Sequence, residues 1–496
     1  MLKINQRYKK TFSDLPVKVL QIGEGNFLRA FADWIVENAN RKSVFNGSVI
    51  IAQPIENGMC DKLNEQDCMY TLLMRGREQG RTVERFEIIT SVSRCINPYK
   101  DYEELVKSIC LPELEVIISN TTEAGITYRE GDKLESRPQI SYPAKLSALL
   151  YKRFLEFNGD KDKGLLILPV ELIERNGDNL KRIVFRYAEE WKLGDDFSQW
   201  LGAACEFANT LVDRIVTGFP ADEYPQLEER LGYEDKLLVT CEPFLFWVIE
   251  CGEKWIKKFP VDDIGLNIIF TNDMTPYRTR KVRILNGAHT SSVLAAYHCG
   301  CDTVLEMMSS NTMKAYITKG IFEEIVPNIK LSAQELDFFA KAVIERFENP
   351  FIKHRLLDIS LNSVSKYKAR CLESLLDYKD ANGSLPPVLT FGLAALICFY
   401  KGSFVEGKYM GSRDGEPYEI RDNPEVLSFM SKAWNEGNTA EKVLGNIDFW
   451  GMDLNTVEGL TQRVADYLSI IESRGMKAAV EAIMLNEIRE EKICRE

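Results

Sequence analysis

Histidine is scarce in this chain: 496 residues hold three, His289, His298 and His354. The twelve cysteines are scattered, with Cys299-Gly-Cys301 the closest pair and no C-x-x-C anywhere. A zinc-dependent reaction needs imidazole and thiolate ligands in clusters, so the sequence argues against one and no metal is expected. Long apolar runs are missing too. None approaches the roughly 18 residues of a membrane span, so no membrane association is expected. Positive charge is in deficit, with 62 Lys and Arg against 74 Asp and Glu and a net charge of -12. That excludes a nucleic-acid partner, because phosphate backbones demand a basic surface. A small anionic substrate stays open, since it needs only a locally positive pocket. The opening Met1-Leu-Lys-Ile-Asn-Gln-Arg-Tyr is polar and basic and does not read as a signal peptide. Reduced thiols in a cytoplasmic protein are therefore expected.

What is present is length enough for two domains or three. In the first half, short β-branched runs read as buried parallel strands: 17–22, 48–52, 86–90, 114–118 and 164–168. Helical spacing at 28–40, 102–110 and 144–158 lies between them. Such alternation predicts an α/β, doubly wound Rossmann-type sheet with ligands at the carboxyl ends of its strands. A further strand at 266–270 precedes a polar turn containing Pro276, a residue suited to a helix N-terminus. From there helical patterns dominate, at 277–299, 333–348, 385–401, 424–435 and 457–488, with a turn-rich loop at 407–422. The expected division is a dinucleotide-binding domain over 1–275 and a mainly α-helical substrate domain over 276–496.

The run Val19-Leu-Gln-Ile22-Gly23-Glu-Gly25-Asn26-Phe27-Leu-Arg29 puts G-x-G directly after the first strand and before a helix. The first glycine permits a sharp turn; the second lets backbone approach a pyrophosphate. The usual third glycine is absent, and Arg29 stands in its place. A tight strand-helix turn without a ligand is the plainer reading, but the position at the first strand of an alternating pattern favours a cofactor. The second strand ends in Gln53 rather than the acid that binds the ribose of NAD, and no arginine follows at once to favour NADP. NAD is the expected cofactor. After the fourth strand, Thr122 and Glu123 can approach the nicotinamide half or simply cap a helix.

The reacting groups are expected in Lys281-Val-Arg-Ile-Leu-Asn286-Gly-Ala-His289. At about 100° per residue of α-helix, Asn286 stands roughly 140° and His289 roughly 80° from Lys281, so one side can hold all three. A lysine with a lowered pKa can take the proton of an alcohol as hydride leaves, or give it back in reduction. The asparagine can donate to the carbonyl oxygen, and the histidine can hold a substrate hydroxyl. Singly, each is more ordinarily a solvated or core residue; together, behind a dinucleotide domain, they point to catalysis.

These residues resemble the mannitol dehydrogenase family of polyol-specific long-chain dehydrogenases and reductases. Lys281, Arg283, Leu285, Asn286, Gly287 and His289 match its K-x-R-x-L-N-G-x-H signature. Gly23-x-Gly25-Asn26-Phe27-x-Arg29 resembles its cofactor turn, and Thr122-Glu123-x-Gly125 its T-E-x-G segment. Asn209-Thr-Leu-Val-Asp213-Arg214 and Glu242-Pro-Phe also look like family motifs. The resemblance implies a Rossmann-type domain, a helical C-terminal domain, NAD, a lysine acid/base, an asparagine oxyanion contact and no metal.

Departures from the polyol-oxidising members speak to substrate. Leu172 replaces an amide in Glu171-Leu172-Ile-Glu-Arg175-Asn176-Gly, leaving Asn176 as the nearby amide donor and Glu171 for substrate hydroxyls. Asn362-Ser363 stands where Asp-Gly is usual before Lys366, and Asp358 where mannitol enzymes carry an arginine. As a set these resemble the branch that reduces hexuronate-derived keto acids. A keto sugar acid needs a cation for its carboxylate, for which Lys366, Arg214 and Arg370 are the candidates. A fructuronate reductase and a neutral-polyol dehydrogenase are the near alternatives, and a non-catalytic NAD or sugar-acid binder on the same scaffold the distant one.

Overall fold

The computed structural model describes residues 1–12, 15–122 and 124–485. They form two compact units, Met1–Met274 and Thr275–Glu496.

The first unit is organised by Val17–Ile22 (β1), Ser48–Ala52 (β2), Tyr70–Glu78 (β3), Arg81–Ile89 (β4), Val92–Ile96 (β5), Val116–Ser119 (β6), Leu166–Pro169 (β7) and Glu206–Phe207 (β8). Six of these make one sheet in the order β5-β2-β1-β6-β7-β8, and every pairing is parallel. Alternate residues feed two different cores. Val19, Val49, Ile51, Val116 and Ile118 enter one; Leu20, Ile50, Ala52 and Ile117 enter the other. Both faces are covered, which is why the strands read as mainly apolar runs. Strand order reverses between β1 and β6, so the ligand crevice of this Rossmann sheet opens at their carboxyl ends.

One expected parallel strand is not there. Phe86–Thr90 falls at the end of β4, which pairs antiparallel with β3 in a separate four-stranded sheet. Arg81, Thr82, Glu84 and Arg85 are exposed and only Ile89 is buried, so β4 is unsuited to burial on both faces. The place beside β2 belongs to β5. The helix expected over 28–40 is broken at Phe31 (φ -122°, ψ -79°) into Asn26–Ala30 and Ala32–Arg41.

The second unit is a helical assembly around Gly287–His298 and Pro387–Phe399. The two helices meet at backbone distance: a Cβ on Gly392 would stand 2.7 Å from the Ser291 carbonyl oxygen. Three segments of this unit are π-helical, Lys281–Asn286, Gly320–Ile325 and Lys368–Leu372. The expected loop 407–422 is instead part of an antiparallel meander, Gly402–Val405, Lys408–Arg413 and Glu416–Glu419. Its turns are Glu406-Gly407 (φ 50° and 81°) and Asp414-Gly415 (φ 54° and 89°). Positive φ at both central residues is what a two-residue hairpin requires. The helix expected over 457–488 divides at Gly475 (φ 81°) into Leu460–Arg474 and Met476–Met484, and 486–488 lie outside the described residues. Among the described residues no helix is long and apolar enough to cross a membrane.

Candidate active site

In the first unit the turn after β1 is shaped by its two glycines. Gly23 has φ 129°, and a Cβ there would stand 3.1 Å from both the Asn120 carbonyl oxygen and Leu28 Cδ1. Gly25 has nothing within 4 Å of that position. The turn is therefore closed toward the sheet and open on its outer side, the geometry a pyrophosphate needs. Ile22 is buried at the end of β1, beside an apolar pocket lined by Leu20, Ala52, Gln53, Pro54 and Tyr142. The open Gly25 side of the turn, at the carboxyl end of β1, fits the pyrophosphate of a dinucleotide.

The polar side chains around this turn are tied to the protein itself. Arg29, 2% exposed, donates to the carbonyls of Glu24 (3.1 Å) and Leu237 (2.5 Å) and to Asn26 Oδ1 (2.7 Å), beneath the Tyr70 ring. Its guanidinium braces the turn from behind and occupies Asn26. Phe27 stacks on Phe31 with ring centroids 5.0 Å apart. Gln53, expected to face a ribose, spends its amide on the Ile55 and Glu56 carbonyls and its oxygen on the Cys60 amide. It organises the loop after β2. Thr122 is exposed and holds φ 91°, an unusual conformation for a β-branched residue. Glu123 lies outside the described residues.

Two residues that sequence reasoning passed over belong here. Glu24, between the glycines, is buried, accepts from the Met59 amide (3.3 Å), and has its carboxyl pKa raised by burial. Lys145 donates to the Pro54 and Ile140 carbonyls and to Tyr99 Oη, and burial lowers its pKa to about 8. The acid between two glycines was visible as a pattern; Lys145, on the helix Tyr142–Glu156, carried no local signal.

Three expected substrate contacts, Glu171, Asn176 and Arg214, each make hydrogen bonds within their own unit. Glu171, its pKa raised by burial, accepts from Ser119 Oγ and from the amide and hydroxyl of Thr121, and so fixes the loop after β6. Asn176, 1% exposed, donates to the Pro169, Glu171 and Thr210 carbonyls while its oxygen accepts from the Gly177 and Thr210 amides. Its hydrogen-bonding capacity is consumed in joining β7 to Asn209–Asp213. Arg214, 5% exposed, donates to the Glu242 and Ala30 carbonyls and lies over the Trp34 ring. So enclosed, it holds its own unit together through two carbonyls, while its Nη2 makes no hydrogen bond among the described residues.

In the second unit the signature run departs from the α-helix assumed for it. Lys281–Asn286 is π-helical, and the Gly287 amide reaches back to the Val282 carbonyl. Hydrogen bonds from i to i+5 place residues five apart one above the other, so Asn286 aligns with Lys281 more closely than α-helical geometry allows. Asn286 is half-buried and its carboxamide has no hydrogen-bond partner among the described residues. His289 lies flat on Phe347 (4.1 Å between centroids, 18°) and edge-on to His354 (5.5 Å, 85°).

The other signature residues hold the run in place. Arg283 is buried and pairs with Asp377 (2.5 Å) and Glu373. Gly287 permits a close crossing: its Cβ would stand 3.0 Å from the Arg370 carbonyl oxygen and 3.7 Å from Ile325 Cδ1. All three π segments thus meet at this glycine. Lys366 donates to the Ile359 carbonyl (2.8 Å), and Arg370 makes a long contact to Thr290 Oγ1 (3.4 Å).

Comparison with known proteins agrees with this architecture. The profile of the mannitol dehydrogenase Rossmann domain matches residues 17–260, and that of the mannitol dehydrogenase C-terminal domain residues 273–472. Proteins named altronate oxidoreductase from Escherichia coli and Shigella flexneri are each 45% identical over 474 residues, 94% of this chain and 96% of the relative. Among solved structures, a D-sorbitol dehydrogenase in substrate-free form aligns with a TM-score of 0.78 at 19% identity, covering 97% of this chain and 100% of its own. A Pseudomonas fluorescens mannitol 2-dehydrogenase in ternary complex with NAD and D-mannitol aligns with a TM-score of 0.66 at 20% identity, covering 97% and 99%. At those identities the structures speak to fold alone.

Proposed function

The chain belongs to the mannitol dehydrogenase family, and from that premise we propose that it is an NAD-dependent tagaturonate reductase, interconverting D-tagaturonate and D-altronate. The observation that carries this reading is 45% identity over 94% of the chain to altronate oxidoreductases. The lysine, asparagine and histidine of the signature run are all retained. The described cysteines are all free thiols, which suits a reducing cytoplasm.

Gly23 and Gly25 would carry the pyrophosphate on main chain, and Gln53 and Glu24 would set the wall of the adenosine side. Glu24 also disfavours a second phosphate there by its acidity. Bound NADH supplies the hydride. Lys281 gives its proton to the keto oxygen in reduction and recovers it from the alcohol in oxidation. Asn286, its amide uncommitted, donates to the same oxygen as negative charge gathers on it. His289, held flat by Phe347, presents a ring nitrogen to a substrate hydroxyl. The experiment is loss of NADH absorbance with tagaturonate, fructuronate and fructose side by side. Tagaturonate is expected to be turned over with the highest kcat/KM; preference for fructose would make the protein a polyol dehydrogenase.

A further inference from the structure

A keto acid of this kind carries its ketone and its carboxylate at opposite ends of a six-carbon chain. The catalytic run serves the ketone, so a separate cation must serve the carboxylate. In the second unit two cations stand four residues apart, Lys366 and Arg370. Among the described residues neither lies within ion-pair distance of a carboxylate. Both are half-buried; burial lowers the pKa of each, and Arg370 lowers that of Lys366 further. Placing two like charges together out of water is costly unless an anion joins them.

The surrounding groups do not supply that anion. Asp422, which Lys366 senses electrostatically, is occupied by the Tyr400 hydroxyl and the Asn423 amide. Asp358 faces His354 and lies 3.9 Å from Arg421. Burial, and to a lesser degree Lys366, lower the pKa of His354 against the pull of Asp358. Lys366 is drawn to the Ile359 carbonyl by a short bond, which leaves Arg370 as the more available of the two. Arg370 is fastened to the catalytic run at two points. Its carbonyl abuts Gly287, and its guanidinium reaches Thr290, the neighbour of His289. Most of its five N–H donors remain uncommitted among the described residues, and their planar fork matches a carboxylate.

We propose that Arg370, backed by Lys366, grips the substrate carboxylate and is the residue that makes this enzyme choose a keto acid over a neutral ketose. This deepens the reading of the preceding subsection and rests on it.

The test compares wild type with Arg370→Gln and Arg370→Lys on tagaturonate and on tagatose, its neutral counterpart. A separate calorimetric titration with D-gluconate, an unreactive six-carbon carboxylate, reads anion binding without turnover. In Arg370→Gln, kcat/KM for tagaturonate is expected to fall about 10- to 100-fold, the worth of a charged hydrogen-bond pair. Tagatose turnover should hold within about threefold, gluconate affinity should fall in parallel with tagaturonate turnover, and Arg370→Lys should recover part of both. Equal losses on tagaturonate and tagatose would make Arg370 a structural residue, and undiminished gluconate affinity would overturn the clamp outright. If wild type ignores tagaturonate, the assigned reaction falls, while loss of gluconate binding in Arg370→Gln would still support the clamp.

Discussion

Around the glycine turn of the Rossmann unit, polar side chains serve the main chain; around the signature run of the helical unit, two are held in reserve. Arg29, Gln53, Glu171, Asn176 and Arg214 all hydrogen-bond backbone of their own unit. Asn286 and Arg370 have little or no such commitment among the described residues. The difference follows from what each region has to recognise. A pyrophosphate is met by backbone amides, so the side chains there are best used to fix the backbone. A sugar acid offers a carbonyl, hydroxyls and a carboxylate, which only side chains can distinguish.

The largest effect that could break this contrast is at Lys281. Lys281→Met should lower kcat by about 10²–10⁴-fold, the usual worth of a general acid/base, while NADH affinity measured by fluorescence stays as in wild type. A variant that retains turnover would remove the amine from the mechanism and leave the π-helical run without its central group.

Next comes the backbone that presents the run. Gly287→Ala would press a methyl group to 3.0 Å from the Arg370 carbonyl oxygen, where main chain cannot rotate away. A cost of about 1–3 kcal/mol in stability is expected from such overpacking. The loss in tagaturonate turnover should exceed what unfolding explains, because Asn286 and Arg370 would move together. If activity per folded molecule is unchanged, the crossing of the π segments does not position the site.

Asn176→Ala sharpens the contrast from the other side. With its amide consumed between β7 and Thr210, its removal should cost about 1–3 kcal/mol of stability through unsatisfied buried backbone. The KM for tagaturonate should hold. A KM that rises while the unfolding midpoint stays put would restore Asn176 as a substrate contact.

Much of the Rossmann sheet was legible because its strands are buried on both faces. Val17–Ile22 and Ser48–Ala52 each carry four apolar residues, and so could be bounded to the residue. Phe86–Thr90 misled because a short apolar run does not reveal whether its partner is parallel or antiparallel. The meander at 402–419 was marked by Glu-Gly and Asp-Gly, yet its strands are half exposed and carry little apolar signal. The π-helical turns left no mark at all, since the same residues suit an α-helix. For the site, Lys281, Asn286 and His289 could be picked out because a motif is local. Whether an amide or a guanidinium serves ligand or backbone is decided across long loops. Asn176 is bonded to a residue 34 positions away and Arg214 to one 184 away.

The smallest effect is one of pH, and it sets the two units side by side. Each buries a carboxyl whose pKa is raised by burial to about 7: Asp33 against the Tyr70 hydroxyl, and Glu324 against the Val388 and Leu389 amides. A carboxyl raised in this way stabilises the fold fully below its unfolded value, near 4, and that contribution is lost as pH climbs through about 7. Thermal unfolding of the wild type should therefore fall in midpoint between about pH 4 and 7 and level off above. Glu324→Gln cannot ionise and should flatten part of that fall, at the expense of one of the two amide contacts at the start of Pro387–Phe399. An unfolding curve whose pH slope is the same with and without Glu324 would mean that the carboxyl stays charged throughout, stabilised by those two amides more strongly than burial opposes it.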